Sequence, residues 1–249
     1  MKIAILTPTR QRPDGMDRLI RSVNETMSDQ NEISMFIGID KDDLDKRHYY
    51  DMIHGWQLSK KSNMTIILIE DVRRTTAKIW NDLVRIRSWE NSPDYFIMGN
   101  DDVVYKTHGW DIILTEKIKD QDHPFYLYWF NDNINGEKHC AFPIVSKYWI
   151  DATGYFVPEL FRYFYSDTWT YDIAKRADVC KYIPDVLTEH LHFTVGKHVV
   201  YDETYKFNRQ GNASEEDAKT FKETEPMRES IAKEIKRRIE VWNKPNLTK

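Results

Sequence analysis

Cysteine is scarce: 249 residues hold two, Cys140 and Cys180. They match no metal-ligand spacing and are too few for an oxidised framework, so a reducing, cytoplasmic setting is expected. Long apolar runs are missing as well. No stretch approaches the ~20 residues of a membrane-spanning helix. Residues 1–9 lack the apolar run and cleavage site of a secretory leader, so a soluble protein is expected. Neither sign of charge dominates, since 36 Lys and Arg stand against 40 Asp and Glu for a formal charge of -4. No global field therefore drives the chain onto nucleic acid or an anionic membrane. Glycine-rich phosphate cradles are absent too: there is no GxGxxG after the first apolar run and no GxxxxGK[ST], which argues against dinucleotide and P-loop chemistry. Internal repeats, low-complexity tracts and linkers are lacking, and one domain over residues 1–249 is expected.

Aromatic residues are plentiful instead, 13% of the chain with 8 Trp and 14 Tyr. They need a large core or a surface that stacks on a ligand. Residues 3–6, 33–39, 64–69 and 94–98 read as buried strands. Between them Met16, Leu19, Ile20, Val23 and Met27 recur at the spacing of one helix face. Thr75 or Thr76 can cap a helix that carries Ile79, Trp80, Leu83 and Val84 inward. Strands alternating with helices predict an α/β fold with a mainly parallel, doubly wound central sheet. The second half is less regular. Strands are expected over 125–130, 140–145, 179–183 and 187–193, with helices over 146–153 and from Asp167 to about Arg176. A polar loop over 201–217 precedes a last helix after Pro226, with Ile231, Ile235, Ile239 and Trp242 on one face.

Open α/β sheets bind ligands beyond the carboxyl ends of their strands. Polar residues collect at three such ends: Thr7-Pro8-Thr9-Arg10, Asp40-Lys41-Asp42-Asp43 and Asn100-Asp101-Asp102. The last offers hard oxygen ligands of the kind that hold Mg2+ or Mn2+ against a diphosphate. A plain loop cap is the alternative, since Asn and Asp are common in turns. Arg73, Arg74 and Lys78 surround a helix start, which attracts phosphate through free N–H groups and the helix dipole; a solvated basic turn is the other reading. His190 and His192 share one side if their run is a strand, as metal ligand and neighbour or as structural histidines. Asp167, after an aromatic stretch, is a general base or a helix N-cap.

In their order along the chain, these pieces resemble a family-2-type glycosyltransferase of the GT-A fold over about residues 1–200. ILTPTRQRPDGMDRLIRSV is similar to the strand, loop and helix that open that family's nucleotide pocket, which implies donor contacts from Thr7, Thr9 and Arg10. Asp40 matches the acid that contacts the nucleobase or ribose. RRTTAKIWN resembles the helix flanking the donor diphosphate and implies roles for Arg73, Lys78 and Asn81. Asn100-Asp101-Asp102 stands where the DxD motif belongs, with Asn100 replacing the first Asp; the resemblance implies metal contacts from Asn100 and Asp102 and a donor contact from Asp101. His190-Leu191-His192, followed by Gly196-Lys197, resembles the late histidine that completes the metal site, so His190 and His192 are metal candidates and Lys197 a donor one. Asp167 sits where the family carries its acidic base. The usual Glu-Asp pair is Ser-Asp here, which keeps Asp172 open as the base.

The resemblance implies transfer of a sugar, dependent on Mn2+ or Mg2+, from a nucleoside diphosphate donor (a UDP-sugar by default) to an acceptor hydroxyl, with inversion. It places the donor half at about 1–105, the acceptor half at about 106–210 and a C-terminal helical segment at about 213–243. Tyr126, Tyr128 and Phe130 alternate on one side of a strand, as core or as a stacking surface for the acceptor, and the loop over 202–217 is placed to close on it. A glycan and a hydroxymethylated DNA base are the acceptor classes considered. Lys233, Lys236, Arg237 and Arg238 suit DNA phosphates, but interleaved Glu229, Glu234 and Glu240 favour a solvated face. The rival readings are a metal-dependent phosphodiesterase or nuclease around Asp40, Asp101, Asp102 and the histidines, and a non-catalytic sugar-binding module.

Overall fold

The computed structural model describes residues 1–71, 75–86, 92–192, 206 and 211–244. Its centre is β1 (Lys2–Thr9), buried at every position but the first. A strand paired on both edges and covered on both faces needs apolar side chains throughout, and Ile3, Ala4, Ile5 and Leu6 supply them. Parallel neighbours flank it, β2 (Glu32–Asp40) and β4 (Tyr95–Met98), with β3 (Met64–Asp71) parallel outside β2. The register sets Thr9 beside Ile39, Leu6 beside Met98 and Asp40 beside Asp71, so the polar ends of these strands share one edge.

Beyond β4 the sheet turns mixed. β7 (Ile144–Ser146) runs antiparallel to β4 and to β6 (Leu127–Asn131), β8 (Cys180–His190) is parallel to β6, and β5 (Val103–Tyr105) is antiparallel to β8. The order is β3-β2-β1-β4-β7-β6-β8-β5. The mainly parallel, helix-flanked α/β sheet read from the sequence is present. The two strands expected over 179–193 are one strand to His190, bent at exposed Pro184 and Asp185, where the register against β6 jumps from Phe130↔Ile183 to Asn131↔Leu187. Proline has no N–H to give the ladder, so the strand bulges there instead of ending.

Helices pack on both faces. α1 (Pro13–Thr26), α2 (Lys46–Ser59) and α4 (Trp110–Lys119) bury Met16, Leu19, Tyr49, Ile53, Trp110 and Leu114 on one side. On the other, α3 (Thr76–Arg85), α5 (Lys147–Thr153), α6 (Ser166–Ala177) and α8 (Glu225–Trp242) bury Trp80, Leu83, Trp149, Trp169, Ile173 and Ile235. Of the alternating Tyr126, Tyr128 and Phe130, the last two are core, each under a tenth exposed, while Tyr126 is partly buried against it. α2, β5 and α4 were not legible as elements: α2 buries only Tyr49 and Ile53, too sparse a pattern to announce a helix. The expected loop over 201–217 is corrected in part. Residues 213–217 open α7 (Ala213–Glu223), and the buried Asp217 carboxylate accepts the N–H groups of Arg162, Tyr163 and Phe164 at 2.8–2.9 Å. Positions 201–205 and 207–210 lie outside the described residues. Among the described residues no helix is long and apolar enough to cross a membrane.

α8 is fastened to α6 by Arg228, which is 2% exposed and sends Nε to Asp172 Oδ2 at 2.6 Å. Its guanidinium lies 3.7 Å from the Phe221 ring centroid and 5.1 Å from that of Trp169. Asp172 also takes Arg176 at 2.8 Å. The carboxylate that stood as the second candidate base is therefore a clamp between helices. Arg228→Ala should lower unfolding stability by about 2–4 kcal/mol, less than a fully buried pair because Arg176 remains for Asp172. Urea unfolding measures it, and a midpoint unchanged from the parent would show that α8 is held elsewhere.

Candidate functional site

The carboxyl ends of β1, β2 and β4 form one polar edge. Thr9 Oγ1 donates to Asp101 Oδ2 at 2.7 Å and lies 3.0 Å from the Tyr49 hydroxyl. Arg12 Nη1 reaches Asp101 Oδ1 at 3.1 Å. Burial pushes the Asp101 carboxyl up against the pull of Arg12, with the neighbouring Asp102 adding to the rise, to about 6. Arg10 Nη1 sits 2.7 Å from both Asp40 Oδ2 and Asp42 Oδ1. Between these two arginines Gln11 adopts left-handed backbone, φ 52°, unfavourable for a side chain with a Cβ. Its N–H donates to Asp43 Oδ2 at 2.9 Å and that of Arg12 to the Tyr49 hydroxyl at 2.8 Å, which hold the turn. Arg12, Tyr49 and Asp43 therefore shape this edge. The sequence offered only the acidic run after β2 as a signal for any of them.

Two glycines press the 99–102 loop into place. A Cβ on Gly99 would stand 2.4 Å from Thr7 Oγ1 and 3.0 Å from the Leu6 carbonyl oxygen. One on Gly15 would stand 2.7 Å from the Asp101 carbonyl oxygen. The loop is thus gripped between the end of β1 and the start of α1. Thr7 Oγ1, beneath it, is buried with no hydrogen-bond partner among the described residues.

Past that loop Asp102 meets the end of β8. The β5–β8 register sets Val103 opposite His190, and the Leu191 N–H donates to the Asp102 carbonyl at 2.7 Å. Asp102 Oδ2 lies 3.4 Å from His190 Nε2. Both ring nitrogens of His190 are buried without a hydrogen bond among the described residues, while Phe142 and His192 pack on the ring at centroid distances of 5.0 and 5.2 Å. A buried imidazole with unused nitrogens beside a carboxylate suits a divalent ion. The structure thus brings Asp102 and His190 together, with His192 beside them, although the strand ends at His190 and period-2 alternation is not what aligns the two rings. Asn100 is half-buried in the same loop. Among the described residues no group of three or more His, Cys, Asp or Glu forms a ready-made metal cage.

Asp167 lies in the first turn of α6, and Tyr165, at φ 70°, holds the N-cap position. The N-cap reading of Asp167 is therefore corrected. Its Oδ1 accepts the N–H of Thr168 at 2.7 Å and its Oδ2 lies 2.9 Å from His139 Nε2. The hydrogen bond to Asp167 raises the His139 pKa against the opposing effect of burial. His139 carried no signal in the sequence, as a single histidine in a loop.

Asn81 is a second correction. Its Nδ2 donates to the Val157 carbonyl and to Glu159 Oε1, both at 2.9 Å, while Oδ1 accepts the N–H groups of Phe156 at 3.0 Å and Val157 at 3.2 Å. An amide so fully used latches α3 to the following chain and has nothing left for a donor. Thr75 caps α3, accepting the Lys78 N–H at 3.4 Å. The half-buried Lys78 side chain makes no ion pair among the described residues. Arg73, Arg74 and Lys197 lie outside the described residues.

No family model matches the chain, and no curated protein does. Solved structures do. The mannosyltransferase PcManGT from Pyrobaculum calidifontis, in complex with GDP-Man and Mn2+, is similar with a TM-score of 0.59 at 12% identity, over 94% of this chain and 73% of that one. TarS of S. aureus gives 0.58 at 10% identity, over 77% of this chain and 37% of that one. TarS 1–349 in complex with UDP-GlcNAc gives 0.57 at 11% identity, over 83% and 64%. At such identities the likeness is one of fold. The chain has a GT-A-like α/β architecture, that of these glycosyltransferases.

Gly99→Ala should overpack the β1–loop contact and lower stability by about 1–3 kcal/mol. Thermal unfolding measures it; a variant as stable as the parent would mean that the loop is free to move off β1.

Proposed function

We propose that the chain is a metal-dependent glycosyltransferase of one domain that moves a sugar from a nucleoside diphosphate donor, by default a UDP-sugar, to an acceptor hydroxyl with inversion. The observation that carries this reading is the Asp102–His190 pair at 3.4 Å, with neither imidazole nitrogen hydrogen-bonded among the described residues, on the same sheet edge as Asp40 and Arg10. The fold supports it, since the mannosyltransferase with the same architecture is in complex with GDP-Man and Mn2+. Asp102 and His190 would hold the ion, with Asn100 and His192 beside them. Mn2+ or Mg2+ bound there supplies Lewis-acid neutralisation of charge on a leaving diphosphate.

The chain's own residues do the rest. Asp40, oriented by Arg10, offers carboxylate oxygens to a ribose or base, while Thr7, fully buried beneath Gly99, supports this edge from below instead of touching the donor. Asp101 stays committed to Thr9 and Arg12 and supports the loop that presents Asp102. Lys78, with no ion pair among the described residues, is available to phosphate oxygens. On the acceptor side the Asp167–His139 pair takes the hydroxyl proton as the new C1–O bond forms and the bond to the diphosphate breaks with its electron pair. A glycan or a hydroxymethylated base is the acceptor.

Thermal unfolding with UDP and GDP, each with and without Mn2+, tests the donor site. Ligand at about 100 times its Kd adds roughly 2.7 kcal/mol, and a chain of this size gains about 2–4 °C per kcal/mol. A rise only when nucleotide and metal are both present is expected; no rise with any pairing would defeat the reading. Asp102→Ala should fold normally and lose about 100–1000-fold in transfer. Undiminished transfer by that variant in chelator would remove the metal from the mechanism, and nucleotide release without transfer would favour a phosphodiesterase.

A further inference from the structure

The Asp167 carboxylate does not face the acceptor side alone. Oδ1 is occupied by the Thr168 N–H at 2.7 Å and the Thr168 hydroxyl at 3.3 Å, and Oδ2 by His139 Nε2 at 2.9 Å. Both side chains are near 30% exposed, so the pair stands at the rim of the fold. α6 turns directly into β8 through Asp178, at φ 63°, which runs the two antiparallel and returns the first turn of α6 to the carboxyl edge. His139 belongs to the segment joining β6 to β7. That segment borders the Asp102–His190 pair: the Asp132 carbonyl accepts the His190 N–H at 3.1 Å, and Phe142 packs on the His190 ring. The edge of the imidazole meets Tyr171 at a centroid distance of 5.6 Å.

We infer that the proton-accepting atom at this edge is Nδ1 of His139, and that Asp167 is its positioning residue. The inference rests on the transferase reading above and names the group that does its proton transfer. A carboxylate that accepts Nε2–H fixes the imidazole tautomer with the lone pair on Nδ1, which makes no hydrogen bond within the described residues. The acceptor O–H proton then passes to Nδ1 while the acceptor oxygen bonds to C1 and the diphosphate departs with the electron pair of the broken bond. The resulting imidazolium is stabilised by Asp167, 2.9 Å away. Asp167 itself has both oxygens engaged and is poorly placed to take a proton directly. The charged groups around the ring are Asp167 and Lys175 from α6 and Asp132 from the end of β6; the buried Cys140 thiol lies next in the chain, pushed well up by burial. The two carboxylates favour the cation and Lys175 opposes it, with Asp167 the largest influence.

The sign of the pH dependence follows. A base must be neutral, so kcat rises as pH passes up through the His139 pKa, which Asp167 holds above the ordinary value of about 6.5. Transfer from a nucleotide sugar is measured against pH for the parent, His139→Ala and Asp167→Asn, with nucleotide binding followed by thermal unfolding in each. His139→Ala should lose about 10²–10⁴-fold in kcat, keep its nucleotide shift and recover turnover when imidazole is added. Asp167→Asn should lower the plateau and move the rising limb to lower pH. Retained turnover in His139→Ala, or a loss that imidazole fails to restore together with a limb unmoved in Asp167→Asn, would overturn the assignment while leaving the transferase reading intact. A parent chain that transfers no sugar would instead overturn that reading and the base assignment with it.

Discussion

The carboxylate of Asp101 is buried between the Thr9 hydroxyl and the Arg12 guanidinium, and both of its oxygens are committed. A charge taken out of water persists only where such partners replace its hydration. Because one partner closes β1 and the other opens α1, the same contact joins strand, helix and loop. Gly15 and Gly99 allow the close approach that the contact requires, each sitting where a Cβ would strike backbone or the side chain of β1. With Asp101 pinned inward, its neighbour Asp102 is directed the other way, toward β8. One residue anchors the loop and the next one stands beside His190.

The mixed half of the sheet completes the arrangement. In an all-parallel sheet β8 would lie far in register from the 99–102 loop. Here β5 leaves that loop and pairs antiparallel with β8, so Val103 faces His190 and the backbones meet through Leu191 and Asp102. The bulge at Pro184 and Asp185 lets β8 follow β6 and still reach β5. A metal candidate assembled from residues 88 positions apart in the chain thus depends on one short antiparallel ladder.

Acidic residues in this chain divide by partner. Asp172, Asp217 and Asp101 are consumed by Arg228, three backbone N–H groups, and Thr9 with Arg12, and hold helices and loops. Asp40, Asp102 and Asp167 stand beside Arg10, His190 and His139 and, among the described residues, join no helix to another. Carboxylates of the first kind stiffen the frame, and those of the second kind are the ones that the proposed function uses. Asn81 belongs with the first kind, and its amide stitches α3 to residues 156–159.

Much of this was legible in the chain itself. Apolar runs of four to seven residues ending in Thr, Asp and Asn marked the buried parallel strands and the edge where polar groups gather, because burial on both faces and periodic spacing are written locally. Capping of α3 by Thr75 followed from the same local rules, and the helix expected over 146–153 is α5, with Ser146 as its cap and not its first residue. Partnership is not local. Whether Asp167 capped a helix or held His139, whether Asp172 was a base or a clamp, and whether Asn81 met a donor or the chain's own backbone depended on residues 4 to 78 positions away. Hydrogen-bond partners of one side chain compete, and the winner is set by which backbone the sheet brings within 3 Å. Only the tertiary fold makes that choice, so composition and spacing determined the strands and their polar ends while packing decided which partner each carboxylate holds.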